Sequence, residues 1–319
     1  MDNREMFPLV SVIIPGYNYS QYLKQRIDSV LAQSYPNIEV ILLDDCSTDD
    51  SADIMLSYKD NPKVSCVIVN EETSGSPFIQ WEKGISHSKG EYIWMAEADD
   101  YADCNFLSKL VIELDHHPDA VVAYAFSYMV DESGKLLDSD WDKAAADGKV
   151  EIYNSADFLQ RKLFWGCSIY NASSAVFRKQ AYGRISKDFV NMRYCGDYLF
   201  WLSMAKEGGV IMVHDKLNYF RQHNNRVTVK SFNDIKRLQE ILFIYKVREQ
   251  YCLPNTWHKW FARGVIYKDI KRLPVDRHMK EEMYNMAQSS GIFKKHYFFE
   301  RAMKFVSCII PQANPSNNN

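Results

Sequence analysis

Val10-Ser-Val-Ile-Ile-Pro-Gly-Tyr-Asn18 and Ile38-Glu-Val-Ile-Leu-Leu-Asp-Asp-Cys-Ser-Thr-Asp-Asp50 are built alike. Each opens on a run of mostly branched apolar residues, near-continuous as in a strand covered on both faces. Each then turns polar. Between them, Ser20 to Gln33 carries Tyr22, Ile27, Val30 and Leu31 at helical spacing, and Tyr35-Pro-Asn37 ends the helix. Strand, helix and strand in so short a span predict a βαβ unit with a right-handed crossover and parallel strands. The alternation continues with a helix over 51–58, a strand over 64–69, a helix over 77–88, a strand over 91–95 and a helix over 105–114. Ligands of such sheets bind outside the carboxyl ends of the strands, so chemistry is sought there.

From Asp119 the rhythm changes. Ala120 to Val130 reads as one long strand, Asp131-Glu-Ser-Gly134 as a hairpin turn, and 138–149 as a polar, mobile loop. Shorter elements follow: a helix over 157–163, a strand over 175–178, a helix over 198–206, and strands over 210–213 and 217–220. Beyond Ser231 the patterning is helical, with breaks at Pro254 and Pro274. The expected organisation is a mixed α/β domain over 1–230 and a helical extension over 231–319.

The 319 residues are 46% hydrophobic and 25% charged, which excludes disordered and collagen-like chains. A net charge of −3 offers no overall basic field, so nucleic acid is not an expected partner. The charge is unevenly spread: residues 231–319 hold 15 basic and 8 acidic groups, net +7, leaving −10 on the rest. The seven cysteines include no CxxC pair, and Cys46, Cys66, Cys104 and Cys308 lie in or beside apolar runs. Buried free thiols in a reducing compartment are the expectation. The N-terminal MDNREMFPLV lacks a signal peptide's apolar core, and no run nears the roughly 20 apolar residues of a membrane span. Cytoplasmic location is expected.

Three of the strands end in polar or acidic clusters: Ile14-Pro-Gly-Tyr-Asn18, Leu43-Asp-Asp-Cys-Ser-Thr-Asp49 and Met95-Ala-Glu-Ala-Asp-Asp100. Singly, each could merely cap the next helix. Together on one sheet edge they crowd carboxylates into a crevice, which costs repulsion unless a cation or a donor-rich ligand sits there. A dinucleotide fold would need GxGxxG after the first strand, but Pro15-Gly-Tyr-Asn-Tyr-Ser20 has one glycine and two aromatics. There is no Walker A sequence either. A metal held by carboxylates is left to neutralise phosphates.

Taken in order, Val10 to Asn18, Leu43 to Asp50, Lys89-Gly-Glu-Tyr-Ile93 leading to Glu97-Ala-Asp-Asp100, and Gly196-Asp-Tyr-Leu-Phe-Trp201 resemble the family 2 glycosyltransferases. The resemblance runs from Val10 to about Arg226. It implies the glycosyltransferase-A fold, an α/β architecture with a mostly parallel nucleotide-binding sheet flanked by helices, here with a helical C-terminal extension. It also implies an inverting transferase that uses a nucleoside diphosphate sugar, a UDP-sugar being favoured, and a divalent cation, Mg²⁺ or Mn²⁺. By the same resemblance Asp45 holds the base, Pro15 and Tyr17 line the nucleotide pocket, Asp99 binds the cation and Asp197 is the catalytic base. Elementary chemistry agrees: a carboxylate accepts a base N–H, a tyrosine face stacks, and hard cations take oxygen ligands. Glu97 stands where the family's metal motif opens on Asp, and as a longer carboxylate it shifts the expected ribose contact. Glu82 stands where many relatives carry Asn. His223 resembles a family position after the last strand, within reach of the metal or diphosphate.

The acceptor implied is a glycan or lipid-linked hydroxyl in surface polysaccharide synthesis. Loop 138–149, Trp165 and Tyr170 are expected to shape its selection. In the tail, Phe298, Ala302, Phe305 and Ile309 share one helical face flanked by Lys294, Lys295, Arg301 and Lys304. Such a helix either packs on the domain or lies on anionic lipid at the inner face of the cell membrane. Two other functions stay open on the sequence: an inactive nucleotide-sugar-binding scaffold, and a nucleotidyltransferase. The second calls for a glycine-rich basic loop after strand one, which this chain lacks.

Overall fold

The computed structural model describes residues 7–138, 148–223, 234–273 and 275–292. β1 (Val10–Gly16), α1 (Ser20–Leu31), β2 (Ile38–Asp44), α2 (Ser51–Ser57), β3 (Val64–Val69), α3 (Pro77–His87) and β4 (Tyr92–Met95) alternate as the periodicity predicts. They are followed by β5 (Tyr101–Ala102), α4 (Phe106–His116), β6 (Ala120–Val130), β7 (Val150–Tyr153), β8 (Ala175–Arg178), α5 (Gly196–Glu207) and β9 (Gly209–Arg221). Three helices close the described chain: α6 (Ile235–Cys252), α7 (Thr256–Arg272) and α8 (Arg277–Ser289).

The sheet order is β3-β2-β1-β4-β8-β6-β9-β5, with β7 also paired to β9. β3, β2, β1 and β4 are parallel neighbours, so the carboxyl ends of β1, β2 and β4 share one edge. β8 runs antiparallel to both β4 and β6, and β9 runs parallel to β6. Two reversals restore the direction, and β9 therefore ends on that same edge.

Alternate residues of the strands feed two cores. Ile13, Ile41, Leu43, Ile93 and Met95 meet Phe78 and Trp81 of α3 and Phe200 and Trp201 of α5. On the opposite face Val12, Ile14, Val40, Leu42 and Trp94 meet Leu23 and Ile27 of α1 and Phe106 and Leu110 of α4. A sheet covered on both sides accounts for the near-continuous apolar runs. Leu238 and Leu242 of α6, Ile266 of α7 and Met283 of α8 join the first core, so the C-terminal helices share apolar packing with α3 and α5.

Three details differ from the sequence expectation. The segments 210–213 and 217–220 form one strand, β9, with His214 and Asp215 taken up where its register against β6 shifts. An internal bulge reads in sequence like a turn. The helix expected over 157–163 is a short α-helix, Ser155–Phe158, that widens into a π-turn over Leu159–Leu163. All six described cysteines are free, but Cys104 is exposed and Cys46 and Cys66 are only partly covered; Cys252 is the buried one among them. Cys66 lies on the edge strand β3, and Cys46 and Cys104 lie in turns beside strand and helix ends, where adjacent apolar residues do not guarantee burial. The hairpin at 131–134 forms, with the Gly134 N–H donating to the Asp131 carbonyl at 3.0 Å and Gly134 at φ 87°. Most of loop 138–149, Arg226, Cys308 and the tail face from Phe298 to Ile309 lie outside the described residues.

Candidate active site

The first corner joins the ends of β1 and β2. Pro15 is buried within β1 opposite Leu43, and Tyr17 follows it with 46% of its surface exposed, a ring face open to a ligand. Asn18 and Cys46 adopt positive φ, 58° and 63°, where the chain turns away from each strand. The turns are stitched together. The Asn18 side-chain carbonyl accepts from the Thr48 N–H at 2.8 Å, and the Asn18 N–H donates to Ser47 Oγ at 2.9 Å.

Beside them Asp45 is buried and its carboxylate is fully engaged. Oδ1 accepts from Asn70 Nδ2 at 2.7 Å, the Ser74 N–H at 2.8 Å and Gln80 Nε2 at 2.7 Å. Oδ2 accepts from Thr73 Oγ1 at 3.1 Å and Ser74 Oγ at 2.8 Å. Asp45 thus orders the loop between β3 and α3.

The second corner follows β4. Asp99 Oδ2 and His223 Nε2, from the ends of β4 and β9, stand 2.9 Å apart, and His223 is almost wholly buried. The rings of Tyr19 and Tyr22 wall the histidine at 5.7 and 5.5 Å. Glu97 Oε1 accepts from Trp81 Nε1 at 2.8 Å, while burial and then the Asp99 charge push its carboxyl up to about 8. Burial and Asp99 raise the Asp100 carboxyl too, against bonds from Asn171 Nδ2 at 2.8 Å and the Arg221 N–H at 2.9 Å.

Two buried arginines offset this acidic cluster. Arg26 is fully buried on the apolar face of α1, over the Trp94 ring at 5.3 Å, and its Nε donates to the Glu97 carbonyl at 2.8 Å. Burial lowers its guanidinium to about 10, and Asp100, Asp99 and Glu97 hold it up from falling further. Arg221 donates from Nε to the Asp99 carbonyl and from Nη1 to the Glu132 carbonyl, each at 2.8 Å. Buried charge costs stability; among the described residues Arg26 Nη1 and Nη2 find no hydrogen-bond partner, so the nearby carboxylates are what offsets that cost.

The third part is Asp197, in the first turn of α5, a helix that begins two residues earlier than expected. Its Oδ1 accepts from the Tyr198 N–H at 2.8 Å, so it does help to close the helix start. Burial nonetheless pushes its carboxyl up to about 6. That range suits a group that must take a proton near neutrality. α3 ties this part to the acidic corner: Trp81 reaches Glu97, and Phe78, T-shaped on Trp81 at 5.2 Å, lies against Gly196. A Cβ at Gly196 would come within 2.6 Å of Phe78 ring carbons and 2.8 Å of the Phe189 carbonyl oxygen. Gly196→Ala should therefore destabilise the fold by about 1–3 kcal/mol, as overpacking does. Urea unfolding reads this as a lower midpoint, and an unchanged midpoint would show that the contact relaxes freely.

Of the residues singled out in the sequence, Glu97, Asp99 and His223 come together in one corner, and Pro15, Tyr17 and Asp45 in the adjoining one. Asp197 arrives from α5, tied in through α3. Sequence reasoning missed Arg26, Arg221, Asn171 and Trp81. Arg26 leaves a signal, a charge set among Leu23, Ile27 and Val30 on a buried helical stripe. The other three depend on tertiary placement.

A family model described as glycosyl transferase family 2 matches residues 11–186. An uncharacterized glycosyltransferase of Rickettsia typhi is 29% identical over 271 residues, covering 82% of this chain and 80% of that one. TuaG of Bacillus subtilis, named for teichuronic acid biosynthesis, is 28% identical over 266 residues and is covered over 98% of its length, against 82% of this chain. Among solved structures, Staphylococcus aureus TarS in complex with UDP-GlcNAc superposes with a TM-score of 0.56 at 17% identity, covering 93% of this chain and 79% of that one. The mannosyltransferase PcManGT of Pyrobaculum calidifontis, in complex with GDP-Man and Mn²⁺, gives 0.52 at 14% identity, covering 94% and 85%. Those two establish likeness of fold. With the family match spanning more than half of its length, the chain belongs to glycosyl transferase family 2 and is an enzyme that transfers sugar.

Proposed function

We propose that the enzyme moves a sugar from a nucleoside diphosphate sugar, UDP-linked by preference, to a hydroxyl of a glycan or lipid-linked acceptor, with inversion, in the synthesis of a surface polysaccharide. The observation that carries the reading is the meeting of Asp99 and His223 at 2.9 Å on the sheet edge that also holds Asp45. Neighbouring ligands of an octahedral cation bound at about 2.0–2.1 Å lie about 3 Å apart, so the pair fits one Mg²⁺ or Mn²⁺. Among the described residues no third His, Cys, Asp or Glu joins them, so a cation held here would take its remaining oxygen ligands from the diphosphate and water. Bound there, the cation would offset the negative charge that grows on the leaving diphosphate.

The protein's own groups do the rest. Asp45 accepts the N–H of the base in place of one of its present side-chain donors, and Tyr17 stacks on the ring. Asp197 accepts the proton of the acceptor hydroxyl as its oxygen attacks the anomeric carbon opposite the departing diphosphate. The nucleotide sugars bound by TarS and PcManGT, and the Mn²⁺ of the latter, support donor class and cation. The name of TuaG supports the surface-polysaccharide setting. Trp165, 47% exposed, and Tyr170, against Phe220, flank the approach of the acceptor. A screen of nucleotide sugars for cation-dependent thermal stabilisation, followed by transfer assays, tests the reading. Nucleotide binding without transfer across a broad panel of donors and acceptors would instead favour the scaffold.

The basic C-terminal part is proposed to rest on anionic lipid at the cytoplasmic face of the membrane. Among the described residues no helix is long and apolar enough to cross one. The +7 of residues 231–319 and the Phe298–Ile309 stripe motivate the proposal. The full chain should sediment with anionic vesicles and a chain ending at Ser290 should do so much less; equal sedimentation counts against it.

A further inference from the structure

Glu240 lies early in α6 and is 6% exposed. Its Oε1 accepts from the Arg193 N–H at 2.7 Å, and its Oε2 accepts from the Tyr194 and Cys195 N–H groups at 2.9 Å each. These three consecutive amides lead into α5, two residues before Asp197. The N-cap residue of α5, Cys195, makes no side-chain capping bond of its own. Glu240 serves that end from another helix, with its negative charge set favourably against the positive end of the α5 dipole. The loop is fastened a second time: the Tyr194 hydroxyl donates to Asp234, the residue that caps α6 by accepting the Lys236 N–H at 2.9 Å. On its other side, Ser76 Oγ donates to the Met192 carbonyl at 2.7 Å.

A buried carboxylate costs stability unless its oxygens are well served, and three N–H donors serve this one. A cap needed only for the helix would be met as well by a local Ser or Asp in water. Reaching across from α6 does something more: it ties the start of α5 to the C-terminal helices. We propose that Glu240 is the positioning residue for Asp197, holding the 193–195 amides so that α5 begins where its carboxylate can meet the acceptor. The inference rests on the reading of Asp197 as the base, and it makes α6 part of the catalytic centre.

The groups facing Asp197 are Cys167, Cys195 and Tyr198 nearby in the fold and Glu240 from α6; Arg237 of α6 faces Cys195. Burial pushes the Cys195 thiol up to about 12 and raises that of Cys167, so both stay neutral near pH 6. Glu240 is thus the anion whose removal Asp197 should sense. The test is an NMR titration of the full chain labelled with ¹³C at aspartate Cγ, without substrate, using Asp197→Asn to assign the resonance. The parent midpoint is expected near 6. Glu240→Gln takes away the charge and turns an NH₂ toward the amides, releasing the loop to water. Both changes lower the Asp197 midpoint toward the ordinary carboxylate range, mainly through the loss of burial, its chief cause, and to a lesser degree through the loss of the Glu240 charge. Glu240→Ala should move it the same way; if that variant does not fold, the Gln variant decides.

A midpoint that stays at the parent value overturns the proposal. In transfer assays, Glu240→Gln should add little loss to Asp197→Asn, whereas independent, multiplying losses would make Glu240 a structural brace alone and overturn it too. Failure of the base reading shows separately, as parent-rate transfer by Asp197→Asn.

Discussion

Asp197→Asn should lower sugar transfer by about 10²–10⁴-fold, the usual worth of general-base assistance, while leaving donor affinity nearly unchanged. The amide keeps the side chain's size and an oxygen for the Tyr198 N–H, now at 2.8 Å from Oδ1, so the start of α5 should hold. What goes is the group proposed to accept the acceptor's proton. In the proposed reading the donor is held elsewhere, at Asp45, Tyr17 and the Asp99–His223 corner, so kcat and donor binding should separate. The pH dependence follows from the same carboxyl. Burial raises it to about 6, and only its ionised form is a base, so transfer should rise with pH through that value and level off above it. The sign for stability is opposite. A carboxyl raised in the folded state binds its proton more tightly there than in the unfolded chain, so its ionisation removes stability as pH climbs from about 4 to about 6. Asn lacks that cost, and at pH 7 the variant should unfold no more easily than the parent. Transfer at the parent rate would refute the base assignment.

The parallel half of the sheet and the polar clusters on its edge were legible because both are local. A strand covered on two faces must be continuously apolar, and its carboxyl end must turn, so β1, β2 and β4 announce themselves and the polar clusters after them. His223 could be placed because it follows a strand. That β9 brings it to the Asp99 corner was implied by the family resemblance alone; residue patterning could not show it, since this needs the two direction reversals through β8. The same limit explains the misread β9. His214-Asp-Lys216 looks like a turn until the register shift against β6 shows a bulge absorbing it. Glu240 marks the far end of the scale. Nothing local distinguishes it from the other charges of α6, and its role exists only because α6 packs beside α5. Arg26 sits between these cases: its position on the apolar stripe was visible, and its partners, the carboxylates after β4, were not.

Asp99→Ala should abolish the cation-dependent part of donor binding. Asp99 is the carboxylate nearest His223, and among the described residues no other acidic group completes a set of three around that pair. Removing even an outer-shell partner of a metal ligand costs about 10–100-fold in metal affinity, so loss of the carboxylate itself should reach at least the upper end, about 10². The variant should fold. The Asp99 charge raises both Glu97 and Asp100, so its removal relieves repulsion in a buried cluster, against the loss of one bond to His223. Arg26 keeps Asp100 and Glu97 as nearby carboxylates, and the Arg221 guanidinium keeps its bonds to the Asp99 and Glu132 carbonyls and to Gln25 Oε1. Calorimetry with UDP and Mn²⁺ reads the outcome. The parent should bind more tightly with the cation than without it, and the variant should show the weak, cation-independent affinity in both conditions. A Mn²⁺ dependence that survives the substitution would move the cation to other ligands, and His223→Ala, measured in the same way, would then show whether the histidine holds it without Asp99.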